Sequence, residues 1–196
     1  TLLQPADITA TFNIVNPSCN TSCNATITTI LAGGTPGYTL NWSNSGGNPN
    51  VNVCAGVYTL TVNDLNNCIK VFTAGVVAPP AFTIAITTAS TICAGDCNGS
   101  ATVVATGGTG LITYQFNTIP VTTNTTGIVS GLCAGAYIVS ITDANGCSTS
   151  QVFNINSPPL LTAAITGIMN TCNICTGAAT VTVGGGVPGY TVNWTN

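Results

Sequence analysis

Gly33-Gly34-Thr35-Pro36-Gly37-Tyr38-Thr39-Leu40-Asn41-Trp42-Ser43-Asn44 returns near the end of the chain as Gly185-Gly186-Val187-Pro188-Gly189-Tyr190-Thr191-Val192-Asn193-Trp194-Thr195-Asn196. Self-similarity of this kind marks a small folding unit copied in series. After the double glycine, Tyr38, Leu40 and Trp42 alternate with polar residues, as do Ile112, Tyr114 and Phe116, and Tyr190, Val192 and Trp194. Successive strand side chains point to opposite faces. Each copy therefore predicts a strand whose inner face is bulky and ends in an aromatic, which assigns Trp42, Phe116 and Trp194 to the core.

Working outward, the units open at Pro5, Pro80 and Pro159, giving repeats at 1–79 and 80–158 and a truncated third at 159–196. The cysteines keep step: Cys19, Cys23, Cys54 and Cys68, then Cys93, Cys97, Cys133 and Cys147, then Cys172 and Cys175. The first two copies are offset by 74 residues at Trp42/Phe116 and by 79 at Cys54/Cys133, so the second carries five extra residues around Asn117 to Ser130. Insertions of this kind collect in variable surface loops. β-branched residues alternate with small polar ones between Gly, Pro and Asn clusters, and no helical period persists. For the second unit this predicts strands near 82–88, 100–106, 111–116, 127–130, 136–142 and 148–155. The expected class is all-β: tandem immunoglobulin-like β-sandwich repeats in an elongated array. In Cys54-Ala55-Gly56-Val57-Tyr58 and Cys133-Ala134-Gly135-Ala136-Tyr137, the tyrosine opens a late strand just after a tight corner. Sandwiches tie such a hydroxyl back to the corner's backbone, so Tyr58 and Tyr137 are read as structural.

Only Asp7, Asp64, Asp96, Asp143 and Lys70 are charged. Without a basic patch the chain cannot neutralise phosphates, which argues against nucleic acid and anionic lipid. Thr, Asn and Gly interrupt every apolar run before it reaches membrane-spanning length, so no membrane span is expected. No signal core is present, so any targeting segment is expected outside this sequence. Ten cysteines at recurring spacings point to disulfides and an oxidising exterior, hence a secreted or surface-displayed protein.

Cys23 with Cys54, and Cys97 with Cys133, fall at the same end of a sandwich and are expected to meet. The hairpin cysteines Cys68 and Cys147 sit a strand away, roughly 17–23 Å, whereas a bridge tolerates a Cα separation of only about 7 Å. Pairing Cys19 with Cys68, and Cys93 with Cys147, requires a first segment that climbs back toward the hairpin. That intra-unit pairing is preferred, and a bond from the hairpin to the neighbouring unit competes with it. Cys172 and Cys175 are expected to be unpaired or to find partners outside the chain. Their Cys-x-x-Cys spacing lacks any histidine, which argues against a zinc or redox site.

Asp64 and Asp143, beside Asn66 and Asn145, suggest calcium ligands, but one carboxylate per hairpin is few for an ion that takes six to eight oxygens. Hydrogen bonds to the turn's own backbone are the preferred reading. Asn20, Asn24, Asn41, Asn98, Asn124 and Asn193 lie in sequons. With no His, Arg or Glu there is almost nothing to serve as a general base, and the glycine runs open strands rather than helices. No catalytic residue, metal or cofactor is expected, and the chain is not read as an enzyme.

The double-glycine/Pro/aromatic strand, the Ala-Gly-x-Tyr corner, the Asp64 to Cys68 and Asp143 to Cys147 hairpins and the boundary prolines resemble the repeats of SprB-type gliding-motility adhesins of Bacteroidota. Asn98-Gly99-Ser100-Ala101-Thr102-Val103 is similar to the strand that opens the conserved part of that repeat. The resemblance implies a giant surface adhesin, exported by the type 9 secretion machinery and moved by the gliding motor. It implies neighbouring repeats, the secretion and gliding machinery and surface polysaccharide as partners, and an outer-membrane-attached, extracellular location. The doubled cysteine set departs from the family pattern. The expected role is that of a stalk, with Pro79-Pro80 and Pro158-Pro159 stiffening its joints. A carbohydrate- or protein-binding module, its Asn- and Thr-bearing loops at Ser43 to Val53 and Asn117 to Ser130, is the alternative. A subunit of an assembled fibre is a third reading, since uncharged strand edges invite pairing.

Overall fold

A computed structural model describes residues 6–168 and 177–195, and every regular element among them is a β-strand. The chain divides into two compact units. One comprises Thr1–Thr83, Thr106–Ile112 and Asp143–Cys147, and the other Ile84–Ala105, Thr113–Thr142 and Ser148–Asn196. Cys172 and Cys175 lie outside the described residues.

In the first unit, β1 (Thr9–Val15), β2 (Ala25–Ala32) and β4 (Asn50–Val53) form one antiparallel sheet in the order β1-β2-β4. A second sheet is ordered β3-β5-β6, from β3 (Thr39–Trp42), β5 (Gly56–Asn63) and β6 (Ile69–Val76). The alternation of small apolar and polar residues gives each sheet one face to bury. Ala25, Ile27 and Val53 from one sheet and Trp42, Leu60, Val62, Ala74 and Val76 from the other close a single core, with Phe12 tilted against Trp42 at 5.7 Å between ring centroids.

The second unit holds a sheet ordered β11-β8-β7, from β7 (Thr83–Ala89), β8 (Gly99–Thr106) and β11 (Ile128–Leu132). Its other large sheet is four-stranded, β10-β9-β12-β13, from β9 (Thr113–Phe116), β10 (Thr122–Asn124), β12 (Gly135–Thr142) and β13 (Ser148–Ile155). Ala101, Val103, Val129 and Leu132 are buried from the first of these sheets, and Tyr114, Phe116, Val139, Ile141, Phe153 and Ile155 from the second. Phe116 is fully buried, edge-on to Phe153 at 6.3 Å. A further pair, β14 (Thr162–Ile168) with β15 (Ala178–Gly184), is antiparallel from Thr162↔Gly184 to Ile168↔Ala178.

The six strands expected between 82 and 155 are present with ends shifted by one or two residues, and β10 is additional. The five inserted residues supply it: the longer connection after β9 turns back so that Thr122 pairs with Phe116 and Asn124 with Tyr114. The first unit's shorter connection forms no such strand, which leaves its sheet at three. All described strands pair antiparallel, and the result is a set of small antiparallel sheets.

The double glycine serves as a docking turn. Gly34, Gly108 and Gly186 donate their amides to the carbonyls of Ala6, Pro80 and Pro159 at 2.7, 2.9 and 2.8 Å. Gly107, at φ +92°, has its α-carbon face pressed onto the Ala81 carbonyl, and a side chain there would collide with that backbone. Only glycine combines this left-handed conformation with so close an approach.

Candidate functional site

The residues that do most to organise the described structure cluster at the Asp-x-Asn-x-Cys hairpins. Asp64 follows β5 and Asp143 follows β12, and both are buried. One Asp143 oxygen accepts the amides of Asn145 and Cys147, each at 2.9 Å, and the other accepts the amide of Thr109 at 2.8 Å. Asp64 repeats this arrangement with Asn66, Cys68 and Thr35 at 2.9, 2.8 and 2.9 Å. Each carboxylate thus closes its own turn and ties it to the residue after the double glycine. The amides of Thr35 and Cys68 hold the Asp64 carboxyl below the usual carboxylate range against the opposing effect of burial. At Asp143 burial pushes upward, but the donors of Cys147, Thr109, Asn145 and Gly146 together outweigh it. These oxygens are committed to backbone, and among the described residues no three His, Cys, Asp or Glu side chains converge. Lys70, the sole cation, pairs with Asp7 at 2.7 Å on the surface, where such pairs contribute little.

The disulfides use these hairpins differently from the sequence-based expectation. Cys23 is joined to Cys54 and Cys97 to Cys133. Cys19 pairs with Cys147, 128 residues away, so the expected pairs Cys19–Cys68 and Cys93–Cys147 do not form. Among the described residues Cys68 and Cys93 are exposed free thiols. The reason is strand length. Cys54 sits at the start of β5 and Cys68 beyond its end; the strand is eight residues long, a span of roughly 26 Å at 3.3 Å per residue. The Cys19 loop is held at the Cys54 end by the Cys23–Cys54 bond, out of reach of its own hairpin. The partner it finds is the hairpin of the second sequence repeat. Around that bond Ser18 is central: its carbonyl accepts the Asn145 side-chain amide at 3.2 Å, and the disulfide sulfur of Cys147 lies 3.2 Å from the same oxygen. Sequence reasoning missed Ser18 and weighed Asn145 only as a calcium ligand or turn residue. No motif marks Ser18, whose role comes from its carbonyl meeting the hairpin of the second repeat.

The loop carrying Cys19 is itself built from local bonds. Asn24 accepts the Ser18 amide at 3.0 Å, and Ser22 donates its amide to Cys19 at 3.1 Å. Asn20 and Asn16 tie the loop to the segment between repeats, through the Pro79 carbonyl at 2.9 Å and the Val77 amide at 3.1 Å.

The Tyr58 hydroxyl donates to the Cys54 carbonyl at 2.9 Å, and Tyr137 to Cys133 at 3.1 Å, with the Tyr137 ring stacked on Phe153. Trp42 and Phe116 are buried. Trp194, assigned to the core with them, is instead 59% exposed, because no described strand pairs with residues 191–194 to cover it. In the loops weighed as ligand surfaces, polar side chains are spent internally. Asn44 and Asn50 bond each other through both amides, Asn48 accepts the Thr29 amide and donates to its carbonyl, and Asn124 caps Thr126 and Gly127.

No curated protein matches the chain. Residues 85–121 match the family model of the SprB repeat, a stretch that holds Cys93, Cys97, the docking glycines Gly107 and Gly108, and Phe116. The SprB repeat, which residues 85–121 resemble, is a non-catalytic adhesin repeat.

Proposed function

We propose that the chain is a stalk segment of a large secreted cell-surface adhesin that supports gliding motility and surface attachment. Its units are read as tandem immunoglobulin-like sandwiches at 1–79 and 80–158 with a partial third at 159–196. In each complete one, two sheets enclose a core behind a bonded corner tyrosine. The observation that carries the reading is the Cys19–Cys147 bond, which joins the cysteine loop of one sequence repeat to the hairpin of the next. A covalent tie between consecutive sequence repeats serves a chain under tension and adds nothing to a catalytic pocket. The SprB repeat and the three disulfides support an extracellular place on the cell surface, reached through the type 9 secretion machinery.

A recognition role for the 43–53 and 117–130 loops is disfavoured by their internally bonded Asn side chains. The test has two arms. On a glycan array the 196-residue chain gives no signal, and saturable binding to any one glycan overturns the spacer role. On a gliding cell that displays the parent protein, beads coated with antibody to this segment travel along the surface. Beads that bind and stay still overturn the link to motility.

A further inference from the structure

Cys93 occupies the place in the second repeat that Cys19 holds in the first, and its loop has the same bonded form. Asn98 accepts the Ile92 amide at 2.9 Å as Asn24 accepts that of Ser18, and Asp96 donates its amide to Cys93 at 3.2 Å as Ser22 does to Cys19. Each loop is anchored by its second cysteine, through Cys97–Cys133 and Cys23–Cys54. Yet Cys93 is a free, exposed thiol.

Its surroundings are those of a joint missing one part. Cys93 lies in an apolar groove with Ile92, Pro158, Pro159, Gly186 and Tyr190. There the third double glycine is already docked, Gly186 donating to Pro159 at 2.8 Å as Gly108 does to Pro80 at 2.9 Å. At the closed joint the Asp143 hairpin completes the arrangement: its carboxylate reaches Thr109 beside Gly108, and its Cys147 bonds Cys19. In the third repeat the matching hairpin would come after residues 190–194, which correspond in sequence to β3 and β9 but form no strand of their own. The complementary half is seen at Cys68, a free hairpin thiol with the same Asp bond, 2.8 Å from its amide to Asp64.

We infer that Cys93 is the attachment point for the hairpin cysteine of a following SprB-type repeat, and that Cys68 offers the same bond to a preceding one. Cys19–Cys147 is then one rung of a covalent ladder running from each repeat to the next. The inference rests on the stalk reading for its purpose but on the geometry of the closed rung for its chemistry. The bond forms by thiol–disulfide exchange with an external disulfide of the glutathione or oxidoreductase class. The Cys93 thiolate attacks one sulfur and releases the first external thiol. The hairpin thiolate then attacks the Cys93 sulfur of the mixed disulfide and expels the second. One S–S bond has formed and one has broken. The external disulfide has taken up two electrons and, as two thiols, the two protons.

The test is a chain in which a second copy of residues 117–158 follows Trp194, so that the third repeat acquires a hairpin cysteine equivalent to Cys147. After equilibration in a reduced/oxidised glutathione buffer, alkylation and non-reducing peptide mapping are expected to find Cys93 linked to the added hairpin cysteine. Cys68 remains alkylated, and Cys19–Cys147 is intact. With Cys93→Ser, the added hairpin cysteine becomes fully alkylated while the other bridges persist. Full alkylation of Cys93 in the extended chain with Cys19–Cys147 intact overturns the inference, as does a Cys93 bridge to any cysteine outside the hairpin. A control chain extended with the hairpin cysteine replaced by Ser must leave Cys93 alkylated; protection there also overturns it. The map reads the ladder whether or not the segment adheres or moves, so its failure is separable from failure of the stalk reading.

Discussion

Asp143 accepts the amide of Thr109 at 2.8 Å, 34 residues back along the chain, while its second oxygen holds the amides of Asn145 and Cys147. One carboxylate thereby sets the hairpin's shape and its position on the double-glycine turn.

That arrangement makes stability depend on pH in the acid range. Burial raises the Asp143 carboxyl's tendency to stay protonated, the amide donors lower it further than burial raises it, and Asp64 is lowered chiefly by Thr35 and Cys68. A group with a depressed folded value stabilises above its unfolded value of about 3.9 and loses that contribution as pH falls through the folded value. Thermal unfolding followed by circular dichroism is expected to give a flat Tm from neutral pH to about 5 and a decline below the unfolded value. Asp143→Asn should lower Tm at neutral pH and flatten the acid decline; an unchanged acid slope in the variant would show that the carboxylate does not carry it.

Gly108 sits at φ +64° with Phe82 and the Asp143 carboxylate against its α-carbon, whereas Gly146 sits at φ +80° in open space. Gly108→Ala is expected to cost strain plus crowding, about 2–4 kcal/mol, and Gly146→Ala the strain alone, about 1–2 kcal/mol. Equal losses in urea unfolding would remove the docking role assigned to the double glycine.

Tyr137→Phe deletes one hydroxyl bond to Cys133 and keeps the ring on Phe153. The expected loss is about 0.5–1.5 kcal/mol, with Tyr58→Phe alike. No measurable change in Tm for either variant would make the corner bond dispensable.

Phe116→Ala opens a cavity in a closed core and should cost about 3–5 kcal/mol. Trp194→Ala, at an exposed position, should stay within about 0.5 kcal/mol. The two variants occupy matching places in the repeat, so a large Trp194 effect would place it in a core after all.

Strands were legible in the sequence because alternation is local: Tyr114 and Phe116 fall on one face of β9, and both are buried. The docking turn was legible as punctuation, since a double glycine before an alternating run announces a break, although the carbonyls it rests on were not. β10 was hidden because Thr122-Thr123-Asn124 has no apolar face and becomes a strand only by pairing with β9.

By itself, then, the sequence determined the all-β class, the repeat, the near-absence of charge and the motifs that match an SprB repeat, all of which follow from nearest-neighbour periodicity and residue type. Tertiary structure decided which sulfurs meet and which aromatics are covered. Cysteine spacing gives separation along the chain, whereas a disulfide needs Cα atoms a few ångströms apart in space. The eight-residue β5 keeps Cys68 away from Cys19, leaving Cys147 to bond it. Trp194 has the sequence context of Trp42, but among the described residues no strand lies beside it to bury it.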